Sequence, residues 1–160
     1  MLAYFYETHI GTIGIAEKNG KIARLYFPTD RQAPTTSIQE TPLLQEAAQQ
    51  LQDYLSGKLT HFSLPLQPAG TAFMQQVWRR LCEIPYGETA SYKNLAESLG
   101  KPNAARAVGM ANHCNPIPIF IPCHRVIGAN GSLVGYRGGL DLKSRLLKLE
   151  KERSHSKRLV

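Results

Sequence analysis

Apolar and polar positions alternate over the first 27 residues and then change period. Tyr4-Phe5-Tyr6, Ile13-Gly14-Ile15 and Ile22-Ala23-Arg24-Leu25-Tyr26-Phe27 are short β-prone runs, and Asn19-Gly20 between the last two is a residue pair suited to a type I′ hairpin turn. This pattern predicts a small antiparallel meander. Residues 28 to 41 are rich in Pro, Thr, Gln and Ser and read as a loop. Thr41-Pro42 then opens a helix in which Leu44, Ala47, Ala48, Leu51, Tyr54 and Leu55 recur at helical spacing, and Ser56-Gly57 ends it. Residues 58 to 70, with Pro65, Pro68 and Gly70, are the segment best suited to a linker, so a lobe boundary is expected there.

The second half has a helical period. Thr71 can cap a helix whose Phe73, Val77, Trp78 and Leu81 form a core-facing stripe, stopped at Pro85-Tyr86-Gly87. Ser91 can cap the next, which carries Asn94, Leu95, Ala96 and Leu99 and closes at Gly100. Pro102 then starts a third helix, Asn103 to Asn112. Two short helices joined by Gly-Lys-Pro form the pattern of a helix-turn-helix, which is also a common way to pack a core. Ala104, Ala105, Ala107 and Gly109 surround Arg106 with small side chains, so the third helix can approach another surface closely while one cation projects; Ala-rich packing with a solvated Arg fits the same residues. Downstream, Pro116, Pro118 and Pro122 punctuate an apolar segment that ends in Cys123-His124-Arg125. Three prolines predict a stiff, extended wall holding a thiol, which suits a nucleophile.

The expected fold class is α+β: a small N-terminal antiparallel-sheet lobe over 1–67, and a helical C-terminal lobe over 68–153 that contains a winged or helix-turn-helix-like motif. Residues 154–160 are expected to be a flexible tail.

Composition narrows what the thiol can be. With 160 residues and 42% hydrophobic content the chain can bury a core without disulfide staples. Its three cysteines, at 82, 114 and 123, include no CxxC pair, which fits a reduced, cytoplasmic protein and argues against a metal cluster. The N-terminus lacks a basic n-region and no apolar run reaches a membrane span, so neither signal peptide nor membrane partner is expected. A net charge of +7 and a pI near 9.5 point to a polyanionic partner, although Lys151 to Arg158 supply part of the excess.

Five stretches now fall into one order: Gly87-Glu88-Thr89-Ala90-Ser91-Tyr92, Asn103-Ala104-Ala105-Arg106-Ala107-Val108-Gly109, Asn115-Pro116, Ile121-Pro122-Cys123-His124-Arg125-Val126 and Gly135-Tyr136-Arg137-Gly138-Gly139-Leu140. In that order they resemble the O6-alkylguanine-DNA alkyltransferases, over roughly residues 71 to 150. The N-terminal meander agrees with that family's variable lobe only in type. The resemblance implies a monomeric DNA-repair protein that binds duplex DNA through the minor groove without sequence preference. It flips out an O6-alkylguanine, with O4-alkylthymine as a second candidate substrate, and moves the alkyl group irreversibly onto its own cysteine. No cofactor is implied, because the base supplies the alkyl group and a thioether resists hydrolysis.

The resemblance also assigns roles. Cys123 matches the acceptor, His124 a water-bridged base, and Glu150, at the end of a helix from Leu140, the carboxylate that orients it. Asn115 matches the residue tying the proline segment to the helix-turn-helix, and Tyr92 the phenol that gives a proton to the departing guanine. Arg106 matches the side chain that enters the base stack, with Ser91, Ala105 and Gly109 beside it on the DNA-binding face. Main chain at Cys123, Val126 and Arg137, with Pro118, Tyr136 and Gly138, completes the base pocket. Arg137 stands where several family members carry a small residue; it either narrows the pocket or reaches for phosphates.

Zinc, found in the N-terminal lobe of some relatives, is not expected. Residues up to 70 contain no cysteine, and His9 and His61 read as surface residues. Cys82 and Cys114 read as packing residues. The chain shows no counterpart of the methyl-phosphate-sensing domain of adaptive-response relatives, so a stand-alone repair protein is expected. Three rival readings are a non-enzymatic alkyl-lesion sensor, a helix-turn-helix regulator with a structural thiol, and a cysteine hydrolase. A sensor has another residue at position 123, a regulator needs a dimerisation segment, and a hydrolase needs an oxyanion hole and turns over esters.

Overall fold

A computed structural model of the chain describes residues 1–31 and 36–158, with side chains to Ser154. It divides into two compact units, Met1–Ala69 and Gly70–Val160.

In the first unit β1 (Leu2–Thr8), β2 (Gly11–Lys18) and β3 (Lys21–Tyr26) form an antiparallel meander, as the alternation predicts. Asn19 at φ 54° and Gly20 at φ 75° make the left-handed pair that a type I′ turn requires. Residues 28 to 41 are not all loop. A two-residue strand, β4 (Ser37–Ile38), adds parallel to β1 and gives the sheet order β3-β2-β1-β4. The Ser37 and Gln39 amides donate to the Met1 and Ala3 carbonyls, which satisfies an edge that would otherwise be open. Residues 32–35 of that segment lie outside the described residues. Helix α1 (Pro42–Leu55) begins as expected, with the Thr41 hydroxyl accepting from the Leu44 amide, and it buries Leu44, Ala47, Leu51 and Tyr54. The expected linker is partly strapped down, because the Ile22 amide donates to the Pro65 carbonyl and the Gln67 amide to the Ile22 carbonyl.

The second unit opens with α2 (Ala72–Cys82), capped by Thr71. Val77, Trp78 and Leu81 are buried, each contributing about 2 kcal/mol through removal of apolar surface from water. The Trp78 indole donates to the Ala111 carbonyl at 2.8 Å and fixes α2 against α4 (Ala105–His113). Helix α3 (Tyr92–Ser98) has a full capping box between Ser91 and Asn94. Strands β5 (Ala90–Ser91) and β6 (Val126–Ile127) pair in parallel, with Ala90 beside Val126 and Ser91 beside Ile127, and join the start of α3 to the cysteine turn.

Four expectations need correction here. The third helix starts at Ala105 and not at Asn103: Lys101 to Ala104 form a turn closed by the Ala104 amide on the Lys101 carbonyl, and no side chain caps the helix. The proline segment is not extended. It folds into a tight buried turn in which the Ile121 amide donates to the Ile117 carbonyl at 2.9 Å and Ile119 adopts φ 73°. A β-branched residue there costs about 1–3 kcal/mol, sustained by burial of Ile117, Ile119, Phe120 and Ile121. Helix α5 (Leu140–Arg158) continues past Glu150 and takes in residues 154–158 of the expected tail, while 159–160 lie outside the described residues. Cys82 and Cys114 are exposed, each at or just past a helix end, and neither belongs to the core.

Candidate active site

Cys123 begins a single 3-10 turn, Cys123–Arg125, that follows the proline segment. It lies in the wall of a cavity of about 420 Å³. Tyr92 comes to that cavity from the start of α3, and Ala105, Arg106, Gly109, Asn112 and His113 from one face of α4. Asn115 and Pro118 come from the proline turn, and residues 134 to 137 from the loop after β6. Of the residues expected from sequence, Cys123, Asn115, Tyr92, Arg106, Ala105, Gly109, Pro118, Tyr136 and Arg137 are therefore brought together. Five others are outside the cavity lining: Ser91 is occupied as the N-cap of α3, Val126 is buried in β6, Gly138 lies in the turn before α5, and His124 and Glu150 form a buried pair.

His124 and Glu150 lie buried, away from the cavity lining. The His124 ring meets Glu150 through Nε2 and Oε2 at 2.7 Å. Arg125 donates to the same carboxylate twice, from Nε to Oε1 at 2.8 Å and from Nη2 to Oε2 at 3.1 Å, and its Nη1 reaches the Ile84 carbonyl at 2.7 Å. Gly87 adds a backbone donor to Oε1 at 3.3 Å. A side chain is excluded at Gly87, because φ is 84° and a Cβ would sit 2.0 Å from the Ser154 hydroxyl. Burial pushes the Glu150 carboxyl up, yet its bonds to His124 and Arg125 outweigh that and hold it at about 2. Burial also pushes the His124 imidazole below its ordinary value, against the pull of Glu150. An ionised carboxylate only accepts, so the neutral ring carries its hydrogen on Nε2 and keeps the Nδ1 lone pair as a base.

Burial pushes the Cys123 thiol up, while the Asn115 amide and the charges of Arg137 and Lys143 pull it down. Asn115 also closes the turn: Nδ2 donates to the Ile121 carbonyl at 2.9 Å and Oδ1 accepts from the Ile117 amide at 3.0 Å. The Tyr92 phenol is raised, chiefly by burial, and so keeps its proton; it donates to the Val134 carbonyl at 3.3 Å. Arg106 is exposed at the cavity mouth. Among the described residues no three His, Cys, Asp or Glu side chains gather as metal ligands would, and no helix is long and apolar enough to cross a membrane.

Residues 1–68 match the family model described as 6-O-methylguanine DNA methyltransferase, ribonuclease-like domain, and residues 72–152 match the DNA binding domain of the same methyltransferase. The chain belongs to the 6-O-methylguanine DNA methyltransferase family. A methylated-DNA–protein-cysteine methyltransferase of Methanosarcina barkeri is 52% identical over 147 residues, covering 90% of this chain and 93% of that one. The constitutive enzyme of that name from Bacillus subtilis is 47% identical over 152 residues, covering 91% and 92%. The crystal structure of Mycobacterium tuberculosis OGT in complex with DNA superposes with a TM-score of 0.90 at 42% identity, covering 96% of this chain and 94% of that one.

Within this methyltransferase-family site, three residues have places that the sequence does not foretell. Asn112 lines the cavity, buried, and donates to the Cys123 carbonyl at 3.4 Å. Arg125 holds Glu150. Lys143 is buried in α5 and donates from Nζ to the Val134 and Gly135 carbonyls at 2.9 and 3.4 Å. Only Lys143 left a signal: it lies seven residues before Glu150 on the stripe of buried Leu146, and a charge on a buried stripe needs a partner.

Proposed function

We propose that this chain repairs O6-alkylguanine in duplex DNA by direct reversal, transferring the alkyl group once, and irreversibly, to the Cys123 sulfur. The observation that carries this reading is a buried thiol in the wall of a cavity whose mouth lies on α4, beside exposed Arg106. Relatives named methylated-DNA–protein-cysteine methyltransferase support it, as does the likeness to a DNA-bound structure.

The steps follow from the side chains. Helix α4 enters the minor groove, where Ala105 and Gly109 permit close approach and Arg106 fills the stack left by the flipped nucleotide. Phosphate contacts supply affinity without sequence preference, consistent with the net charge of +7. The cavity receives the base between Tyr92, Pro118 and Tyr136, with main chain at Cys123, Val126 and Arg137 and the turn at Gly138 completing recognition. The Nδ1 lone pair of His124, held by Glu150, takes the thiol proton through a bridging water. The sulfur attacks the alkyl carbon, the carbon–O6 bond breaks, and its electron pair moves into the guanine ring. Tyr92 leaves the Val134 carbonyl to give the ring a proton, and the proton that His124 took from the thiol passes through the bridging water to the phenolate, so thioether, guanine, phenol and imidazole all end neutral and no uncompensated anion remains in a dry pocket.

The protein acts as a monomer in a reducing compartment that keeps Cys123 a thiol. Incubation with a duplex holding one O6-methylguanine tests the reading: intact mass should rise by one methyl group per chain and go no further with excess duplex. Continued turnover, or no gain in mass, would refute it.

A further inference from the structure

Arg137 is the cation in the cavity wall that the steps above leave without a task. The sequence offers it two directions, into the pocket or toward phosphates. It turns inward: its Nη1 donates to the Asn115 carbonyl at 3.4 Å, and its part-buried side chain lines the cavity together with Cys123 and Pro118.

Several elements bring titratable or charged groups to Cys123. Tyr92 comes from α3, Tyr136 and Arg137 from the loop after β6, and Lys143 from α5; exposed Arg106 and His113 of α4 line the same cavity, and His124 and Arg125 follow Cys123 in its own turn and hold Glu150. The two phenols are pushed up by burial and stay neutral. Arg125 is engaged by Glu150. The Lys143 ammonium is engaged by two carbonyls, and burial lowers its titration from the ordinary lysine value. A guanidinium keeps its proton through the neutral and alkaline range in which a thiol ionises.

We propose that Arg137 is a positioning residue for the transfer step: anchored on the Asn115 carbonyl, its guanidinium supplies the permanent positive charge that stabilises the Cys123 thiolate before the alkyl group arrives. This rests on the alkyl-acceptor reading of Cys123. Ionisation sends the thiol proton to His124. The sulfur–carbon bond then forms as the carbon–O6 bond breaks, and the negative charge passes from sulfur to guanine. Arg137 therefore favours the thiolate toward any small electrophile.

Iodoacetamide is such a probe and needs no DNA; the sulfur–carbon bond forms and iodide leaves. Its rate at each cysteine, read by peptide mass against pH, tests the proposal, with exposed Cys82 and Cys114 as internal controls. An opposite charge in the same partly solvated cavity moves a titration by about one unit. Arg137→Met should therefore slow Cys123 about tenfold at neutral pH and move its profile up by about one unit, leaving the two controls unchanged. Arg137→Gln keeps a donor for Asn115 and drops the charge, so it should shift as Met does. Arg137→Lys should recover most of the rate.

An unmoved Cys123 profile in Arg137→Gln overturns the proposal. If that variant instead binds duplex DNA more weakly with a shallower salt dependence, Arg137 serves the phosphates. Should Arg137→Met unfold, Cys123 will react as fast as the controls, and the Gln and Lys pair still isolates the charge. Failure of the wild-type protein to take a methyl group from duplex DNA counts against the proposed function and leaves the iodoacetamide profile interpretable.

Discussion

His124 and Glu150, 26 residues apart in sequence, meet at 2.7 Å with both side chains buried, and the contact joins the cysteine turn to α5. The carboxylate is kept ionised by its bonds to His124 and Arg125, and the imidazole is kept neutral by burial. Glu150→Gln retains the shape and drops the charge. It should lower methyl transfer by about a hundredfold, the usual scale for a disabled general base. Because it leaves Arg125 buried without its counter-ion, it should also cost about 3 kcal/mol in urea unfolding. Transfer within twofold of wild type would place the base elsewhere.

Acid should act through the same pair. His124 titrates below its ordinary value, so folding loses stability as pH falls below the free imidazole value of about 6.5, where the unfolded chain takes up the proton first. Glu150 at about 2 adds a second loss between about pH 4 and about pH 2. Thermal unfolding against pH should show both, and His124→Asn should remove the upper one. Meanwhile transfer should rise toward alkaline pH, because burial raises the Cys123 thiol. A rate that falls as the pH is raised through 8 would contradict this.

Arg106→Ala should separate flipping from chemistry. Arg106 is exposed at the cavity mouth, on α4 and not on the Cys123 turn. Transfer from duplex DNA should fall by well over tenfold, while transfer from free O6-methylguanine should stay within about twofold, since the cost removed is that of unstacking. Equal losses on both substrates would argue against the finger role.

Lys143→Met should loosen the loop after β6. Its ammonium holds the Val134 and Gly135 carbonyls, and Val134 also accepts from Tyr92. Amide exchange over residues 128–139 should quicken, with the rest of the second unit unchanged. Unaltered exchange would show that other contacts hold the loop.

Much of this site was legible in the chain because its motifs are local. Asn19-Gly20 fixes a turn by φ alone, Ser91 and Asn94 cap each other three residues apart, and Pro122-Cys123-His124 is contiguous. The alternation of residues 2–27 likewise specified the meander. What escaped depends on distant partners. Ile119 takes a positive φ because surrounding apolar packing and Asn115 force the turn, and proline content alone suggested extension. Strand β4 forms because β1 offers a free edge, which no property of Ser37 or Ile38 announces. Arg125 and Asn112 carry no local sign of the Glu150 and Cys123 atoms that they hold. The direction taken by Arg137 required the position of Asn115, 22 residues earlier.

The most direct test of Cys123 as the single acceptor is intact-mass and peptide-mass measurement after reaction with a duplex bearing one O6-methylguanine. Wild-type protein should gain one methyl group, mapped to the peptide that holds Cys123, and Cys123→Ser should gain none while binding the duplex with nearly unchanged affinity. A methyl group on Cys82 or Cys114, or transfer by Cys123→Ser at the wild-type rate, would contradict the account.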